Sequence, residues 1–396
     1  EGGLDGQSAV SGGRTLGFGH QARHPATGAE LVGRVRILDP EFWWALALRG
    51  SVGAGEAWAR GHWTSDDPVT VVRLFGLNRG LSTGIEGGLA RLSRPFLNLF
   101  HRLRPNTPRG ARRNIAAHYD LGNAFFDLIL DPTLSYSCAL FDHPGQSLED
   151  ASLNKLERTC RKLELGPGDH LLEIGTGWGG LALHAAARFG CRVTTTTISR
   201  AQHEVAVARV RAAGLAGRVT VLCEDYRNLR GTFDKLVSIE MIEAIGWRQY
   251  REYFAALGGL LEPNGRALVQ AITIQDQYFE AAKRSVDFVQ RYVFPGCTIP
   301  STTALLQAMT ASSDLRLTQM EDLTPHYATT LAHWRRGLHR NGAAIAALGY
   351  TPEFLRLFEW YLIYCEGGFE ERAIQDVQYL FAKPLDRSAP FLPPLS

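Results

Sequence analysis

Apolar positions between residues 115 and 385 follow two alternating patterns. Short apolar runs alternate with longer segments whose apolar residues recur every three or four positions. The runs predict strands at 171–174, 193–198, 219–222, 235–239 and 266–270. The longer segments predict helices at 181–189, 202–213 and 247–261. Strand, helix, strand repetition predicts an α/β domain with a mostly parallel sheet, whose ligand lies beyond the carboxyl ends of the strands.

The flanking residues have other patterns. Residues 1–18 are rich in Gly and Ser and predict a flexible end. Residues 19–100 contain short strand-like and helical pieces separated by glycines, and predict a smaller N-terminal domain. We therefore expect a basic linker at 101–114, a catalytic domain at 115–385 and a tail at 386–396.

A glycine-rich turn, Glu173–Gly180, links the first strand of the α/β domain to a helix. Its alternating glycines are Gly175, Gly177 and Gly179. Such glycines let a ligand approach the backbone closely. A dinucleotide site also expects an acid about 20 residues further on, but residues 194–199 contain none, whereas Glu224 and Asp225 follow the third strand. This pattern favours S-adenosylmethionine over NAD and predicts a Rossmann-like class I methyltransferase domain.

Composition narrows the class of protein further. The chain has 45% hydrophobic and 21% charged residues, as in ordinary globular proteins, and its net charge of +2 argues against nucleic-acid binding. Its six cysteines form no C-x-x-C pair, so we expect neither a metal site nor a disulfide framework, and reduced thiols favour the cytoplasm. The apolar run Phe42–Leu48 is too short to span a membrane.

A strongly basic segment precedes the α/β domain. Residues 101–113 contain five arginines and no acid. The segment is either a solvated connector or a patch for anionic lipid headgroups, to which each basic residue contributes about 1 kcal/mol. Apolar residues of 89–103 recur at helical spacing, which fits either packing on the protein's own core or a helix lying on a membrane.

Several motifs resemble the cyclopropane-fatty-acid synthases and the related mycolic-acid methyltransferases. The resemblance covers residues 115–385, and residues 48–63 resemble more weakly the small N-terminal domain of the bacterial synthases. The motifs are His118–Asn123, Tyr136–Phe141, Leu172–Gly180 and Ser238–Gly246.

The resemblance implies methyl transfer from S-adenosylmethionine to the cis double bond of an unsaturated phospholipid acyl chain. The reaction passes through a carbocation, and a cyclopropane ring is the favoured product. A methylene- or methyl-branched chain, or methylation of a different small molecule, stays open. The resemblance also implies an enzyme peripheral to the cytoplasmic face of the cell membrane, with a homodimer as a plausible assembly.

The resemblance assigns residues to two ligands. Those expected around S-adenosylmethionine, together with the acid of the glycine turn, are Tyr136, Ser137, Glu173, Gly175, Gly177, Gly179, Thr197, Ile198, Gln202, Glu224, Asp225 and Ile239. In the family a bicarbonate ion acts as the base that removes a proton. Its expected ligands are Cys138, Glu243, the backbone of Ile272, and Tyr327.

Two residues depart from the family pattern in the catalytic set. Gln270 stands where the family has a histidine, and glutamine can hydrogen-bond but cannot carry a proton. Glu240 stands where relatives often have glycine. Its carboxylate would repel the anion, supply an alternative base, or point to solvent. Gln270 leaves a second outcome open beside the favoured ring, in which hydride migration along the cation gives a methylene-branched chain.

Overall fold

The computed structural model describes residues 6–10, 14–18, 24, 27–28, 30–78 and 122–389. The segments 89–103 and 101–113 lie outside these residues, so their proposed lipid contacts stay predictions. Within residues 1–18, the predicted flexible end, the structure describes two short strands, Gly6–Val10 and Arg14–Phe18. None of the helices within the described ranges has the length and apolarity needed to cross a membrane.

The secondary-structure elements are numbered here in chain order. The strands are β1 Gly6–Val10, β2 Arg14–Phe18, β3 Val35–Ile37, β4 Trp63–Thr64, β5 His170–Ile174, β6 Arg192–Thr196, β7 Val219–Leu222, β8 Phe233–Ile239, β9 Leu261–Ile274, β10 Arg316–Asp322 and β11 Ile374–Ala382. The helices are α1 Glu41–Ala59, α2 Pro68–Leu77, α3 Asn123–Ile129, α4 Leu148–Lys162, α5 Gly180–His184, α6 Arg200–Ala212, α7 Tyr250–Leu260, α8 Asp276–Ala282, α9 Phe288–Tyr292, α10 Thr302–Ser312, α11 Thr324–Arg340, α12 Gly342–Ala347 and α13 Pro352–Glu370.

The chain forms two compact units. The first contains residues 1–103, 284–295 and 331–374, and the second contains residues 104–283, 296–330 and 375–396. The stretch 115–385, expected as one catalytic domain, is therefore divided between them. Segments 284–295 and 331–374 join the N-terminal residues because α9 packs on α1, and α13 packs on both α1 and α2.

The first unit combines a small sheet with packed helices. Its strand order is β2-β1-β3-β4, with β1 antiparallel to β2 and parallel to β3. Gly55 of α1 lies so close to Trp360 of α13 that a Cβ would come within 2.5 Å of the indole nitrogen. The rings of Trp58 and Trp360 lie 5.5 Å apart, and Trp63 lies 5.0 Å from Trp58. These aromatic contacts hold α1 and α13 together.

The second unit contains a seven-stranded sheet in the order β10-β11-β9-β8-β5-β6-β7. The run from β9 to β7 is parallel, whereas β10 and β11 are antiparallel to each other. The predicted strands and the mostly parallel α/β sheet are confirmed. Strand order reverses at β5, and the carboxyl ends of β5, β6 and β8 meet there, which is where ligands bind in such sheets.

Alternation along the central strands builds a core on both faces of the sheet. Leu172 and Leu236 belong to one apolar cluster, whereas their neighbours Leu171 and Val237 belong to the other. Successive side chains of a strand point to opposite faces, so each central strand serves both clusters. The sheet therefore holds the ends of β5, β8 and β9 rigidly for the site beyond them.

Candidate active site

The glycine turn after β5 leaves its backbone accessible. Gly175, Gly177 and Gly179 have φ values of 103°, 52° and 88°, which favour glycine. The N–H groups of Gly175 and Thr176 both donate to the carbonyl of Thr196 at the end of β6. A Cβ on Gly177 would meet no atom within 4 Å. The turn is thus anchored to β6 and open at Gly177, as close approach of a cofactor requires.

The acid before the glycines is an anchor for the turn. Glu173 is buried, and one of its carboxylate oxygens accepts a hydrogen bond from the Thr195 hydroxyl at 2.6 Å. Burial raises the pKa of Glu173 to about 8, against the lowering effects of the Thr195 hydrogen bond and the Lys155 charge. Thr195 also bonds the hydroxyl of Thr176 in the turn at 2.7 Å. Glu173 therefore positions the turn through these two hydroxyls.

The other expected cofactor residues lie around the ends of β6, β7 and β8. The Thr197 hydroxyl donates to the Gln202 side chain at 3.0 Å, and Ile198 and Ile239 are half-buried. Glu224 is half-buried after β7. Both carboxylate oxygens of the neighbouring Asp225 accept from the guanidinium of Arg227, at 2.8 and 2.6 Å. The Asp225 carboxylate therefore positions Arg227, and Glu224 is the more accessible acid.

The segment before α4 contributes the remaining two cofactor residues. The ring of Tyr136 packs against Phe126 at 5.1 Å, and the Ser137 hydroxyl accepts from the ammonium group of Lys155 at 2.8 Å. This cation suits a carboxylate, and the Thr197 and Gln202 side chains suit ribose hydroxyls. Together with the open backbone at Gly177, these donors fit S-adenosylmethionine.

One glycine of the turn offers a stability test. A Cβ on Gly180 would lie 2.7 Å from the carbonyl oxygen of Thr133, a backbone atom that cannot move freely. We expect Gly180→Ala to lower the free energy of unfolding by about 1–3 kcal/mol, as overpacking does. Urea unfolding measures this. Gly217→Ala is the control, because its Cβ would meet no atom within 4 Å and its φ is not positive; an equal loss of stability in this variant would contradict the clash.

Beyond the turn, the side chain of Glu240 points into the protein. Glu240 follows β8 with a φ of 48°, and its N–H donates to the carbonyl of Gln270 on β9 at 2.8 Å. Its carboxylate accepts three hydrogen bonds. The donors are the Cys138 N–H at 2.8 Å, the Gln270 amide at 2.8 Å and the Tyr327 hydroxyl at 2.6 Å. Of the alternatives for Glu240, a side chain in solvent is wrong, because these donors hold it inside.

The donors to Glu240 come from the residues expected to hold bicarbonate. Cys138 takes part through its backbone N–H, while its fully buried thiol donates to the carbonyl of Ala139 at 3.2 Å. Burial raises the pKa of the Cys138 thiol well above its usual value, followed by the effect of the Asp376 charge. The thiol therefore stays protonated, and a carboxylate of the chain itself lies where the resemblance implies the anion.

Glu243 and Ile272 also come together, as expected. One carboxyl oxygen of Glu243 accepts from the Ile272 N–H at 2.5 Å, and the other is buried without a hydrogen-bond partner. Burial, followed by the charge of Glu240, raises the pKa of Glu243 to about 8. Glu243 therefore carries a proton at neutral pH.

Two functional candidates are absent from the sequence-based set. Asp376 on β11 accepts from the Gln270 amide at 2.8 Å, and its burial raises its pKa well above the usual value, with the charge of Glu240 adding to the effect. Lys155 on α4 is 2% exposed and acts electrostatically on Glu240 and Asp376. The available signal was the polar residues Asp376 and Gln378 inside the otherwise apolar run of β11.

Known proteins share this arrangement of sheet and turn. The family described as mycolic acid cyclopropane synthetase matches residues 106–379. The tuberculostearic acid methyltransferase of Mycobacterium tuberculosis is 38% identical over 347 residues, covering 85% of this chain and 80% of that protein. The cyclopropane-fatty-acyl-phospholipid synthase of Escherichia coli K12 is 33% identical over 355 residues, covering 89% and 88%.

Solved structures agree with these relatives. A mycolic acid cyclopropane synthase, crystallised with S-adenosylhomocysteine, superposes with a TM-score of 0.64 at 29% identity, covering 69% of this chain and 98% of that one. S-adenosylhomocysteine is what S-adenosylmethionine becomes after losing its methyl group, and this supports S-adenosylmethionine as the cofactor of the chain. The chain is an S-adenosylmethionine-dependent methyltransferase and belongs to the cyclopropane-fatty-acid synthase family.

Proposed function

We propose that this enzyme methylates a carbon–carbon double bond in the acyl chain of an unsaturated phospholipid, with Glu240 as the base that accepts the released proton. One observation carries the proposal: the Glu240 carboxylate accepts hydrogen bonds from Cys138, Gln270 and Tyr327, three of the residues at positions that the resemblance assigns to a catalytic anion. The printed names of two relatives, a cyclopropane-fatty-acyl-phospholipid synthase and a tuberculostearic acid methyltransferase, support a lipid alkene as the substrate.

The chemistry requires a base that is ionised and shielded from water. S-adenosylmethionine supplies an electrophilic methyl group. Once this carbon is bonded to the alkene, the acyl chain is a cation and must lose a proton to become neutral. Glu240 accepts that proton, and the electron pair of the broken C–H bond closes a cyclopropane ring or, after a hydride has migrated, forms the π bond of a methylene branch. A buried carboxylate does this efficiently because no water competes for the cation.

Hydrogen bonding selects Glu240 as the charged member of the carboxyl cluster. Three carboxyl groups that lie close together cannot all ionise. Glu240 receives three donors from other residues, which is more than Glu243 or Asp376 receives. Donors stabilise the charged form. Burial raises the pKa of Glu240 as well, but its donors and the Lys155 charge oppose the rise. We therefore place the negative charge on Glu240 and the protons on Glu243 and Asp376.

Neighbouring side chains keep this carboxylate oriented. The Gln270 amide donates to both Glu240 and Asp376, and its oxygen accepts from Gln378 at 3.0 Å. Gln270 is therefore fixed from three sides and positions Glu240 without exchanging a proton. Since the Cys138, Gln270 and Tyr327 donors are already used, the enzyme needs no bicarbonate.

The resemblance favours a ring, but the site favours a methylene branch. Ring closure requires proton removal before a hydride migrates along the chain to give a more substituted cation. Gln270 stands at the position of the family's histidine, and its amide cannot relay the proton away from the base. The relative with the higher identity is a named methyltransferase. We therefore propose the methylene-branched chain as the main product.

Labelled substrate tests both parts of the proposal. Purified enzyme is incubated with S-adenosylmethionine carrying a labelled methyl group and vesicles of monounsaturated phospholipid, with fully saturated phospholipid as the control. We expect label in the acyl chains of the unsaturated lipid only, with methylene proton signals downfield in the magnetic resonance spectrum. A spectrum with upfield cyclopropane proton signals and no methylene signals would contradict the methylene-branched product. Label transferred only to a water-soluble acceptor would contradict the lipid substrate.

A further inference from the structure

The first half of α1 exposes large apolar side chains. Trp43, Trp44 and Leu48, named here the α1 patch, are 50%, 68% and 44% exposed. Phe42 and Ala45 on the other face of the same turns are buried and anchor the helix. This part of α1 is therefore apolar on both faces, and exposed apolar clusters of this kind mark a binding surface.

A pocket lined in part by Arg49 and Arg60 borders the α1 patch. It has a volume of about 240 Å³, and its lining includes Trp44, Leu48, Arg49, Arg60, His62 and Glu41. Arg49 pairs with Glu56 at 2.5 Å, and His62 lies 4.0 Å from Glu41. Arg60 is exposed, and no carboxylate of the described residues forms an ion pair with it. Its guanidinium group is available to an anion.

We propose that the α1 patch inserts into the surface of a phospholipid membrane and that the adjoining pocket binds a headgroup phosphate. Tryptophan prefers the level of the headgroups, where one part of the indole ring is apolar and its N–H is polar. Arginine binds phosphate through its planar fork of donors. Exposed indoles beside Arg60, which forms no ion pair with a carboxylate of the described residues, therefore match the outer layer of a membrane. The inference rests on the proposed function only in that a phospholipid substrate gives the enzyme a reason to dock.

Vesicle binding tests this surface. The full-length protein is sedimented with vesicles of phosphatidylglycerol or of phosphatidylcholine. The double variant Trp43→Ser/Trp44→Ser should bind both at least tenfold more weakly, because two indoles no longer leave water. Arg60→Gln should weaken binding to phosphatidylglycerol about fivefold. Leu348→Ser, which removes a 48% exposed side chain of the same unit, is the matched control and should bind as wild type does.

Turnover on detergent-dispersed unsaturated phospholipid separates docking from catalysis. The double variant should keep the wild-type rate there, which also shows that it is folded. The proposal is overturned if the wild-type protein does not bind vesicles, or if the double variant binds them as tightly as the wild type does. It is also overturned if the variant converts a dimer into a monomer, since a second copy would then cover the patch. A wild type that binds vesicles but transfers no methyl group would instead refute the proposed function.

Discussion

Replacing Glu240 with glutamine should lower kcat by about 10²–10⁴-fold, the usual contribution of a positioned base. This corresponds to about 3–5 kcal/mol of transition-state stabilisation. The amide has the shape of the carboxylate and can still accept from the Cys138 N–H and the Gln270 amide, so the site should stay folded. Only the capacity to take a proton is lost. Steady-state turnover with unsaturated phospholipid, alongside calorimetric S-adenosylmethionine binding, measures the two effects separately.

Two further variants make this result specific. Glu243→Gln is the matched control, because it makes the same change in a buried carboxyl group that already carries a proton at neutral pH, so the loss should be much smaller. A larger loss there than in Glu240→Gln would identify Glu243 as the base. Glu240→Gly frees the three donors and relieves the positive φ. Its residual rate should rise with added bicarbonate, whereas that of Glu240→Gln should not.

Replacing Lys155 with methionine should lower the free energy of unfolding by about 3–5 kcal/mol at pH 8, as loss of a buried charge partner does. Lys155 is 2% exposed, and its charge lowers the pKa values of both Glu240 and Asp376. Without it, the pKa values of these buried carboxyl groups rise further above those of the unfolded chain. Stability is then lost as the pH rises through the folded-state pKa values, so the deficit should be smaller at pH 6 than at pH 8.

Urea unfolding at the two pH values measures this difference. Lys283→Met is the control, because Lys283 pairs with the exposed Glu280 at the surface. Its removal should cost less than about 1 kcal/mol at either pH. A Lys155→Met deficit that is equal at pH 6 and pH 8 would show that lost packing, rather than charge, is responsible.

The sheet and the cofactor turn were predictable because their signals are local. Apolar runs and glycine spacing lie within short stretches of sequence, and the resemblance added Cys138, Glu243 and Tyr327. The direction of the Glu240 side chain was not predictable, because it depends on a backbone φ of 48° and on donors from three distant elements. Asp376 was missed because β11 reaches the site only through its place beside β9.

The division of the chain was also beyond local patterns. Residues 331–374 follow the catalytic motifs in sequence but pack with the N-terminal residues through α13. The packing of α13 on α1 depends partly on Gly55, because only a residue without a side chain lets α1 approach Trp360 so closely. A single glycine within a helix gives no hint of which distant indole it will contact.

The most direct measurement is the initial rate of the wild-type enzyme in buffer stripped of carbon dioxide, compared with the same buffer containing added bicarbonate. If Glu240 is the built-in base, the two rates are equal, because the donors that would hold the ion are already occupied by its carboxylate. A rate that falls sharply without bicarbonate and recovers when the ion is added would show that bicarbonate, and not Glu240, accepts the proton.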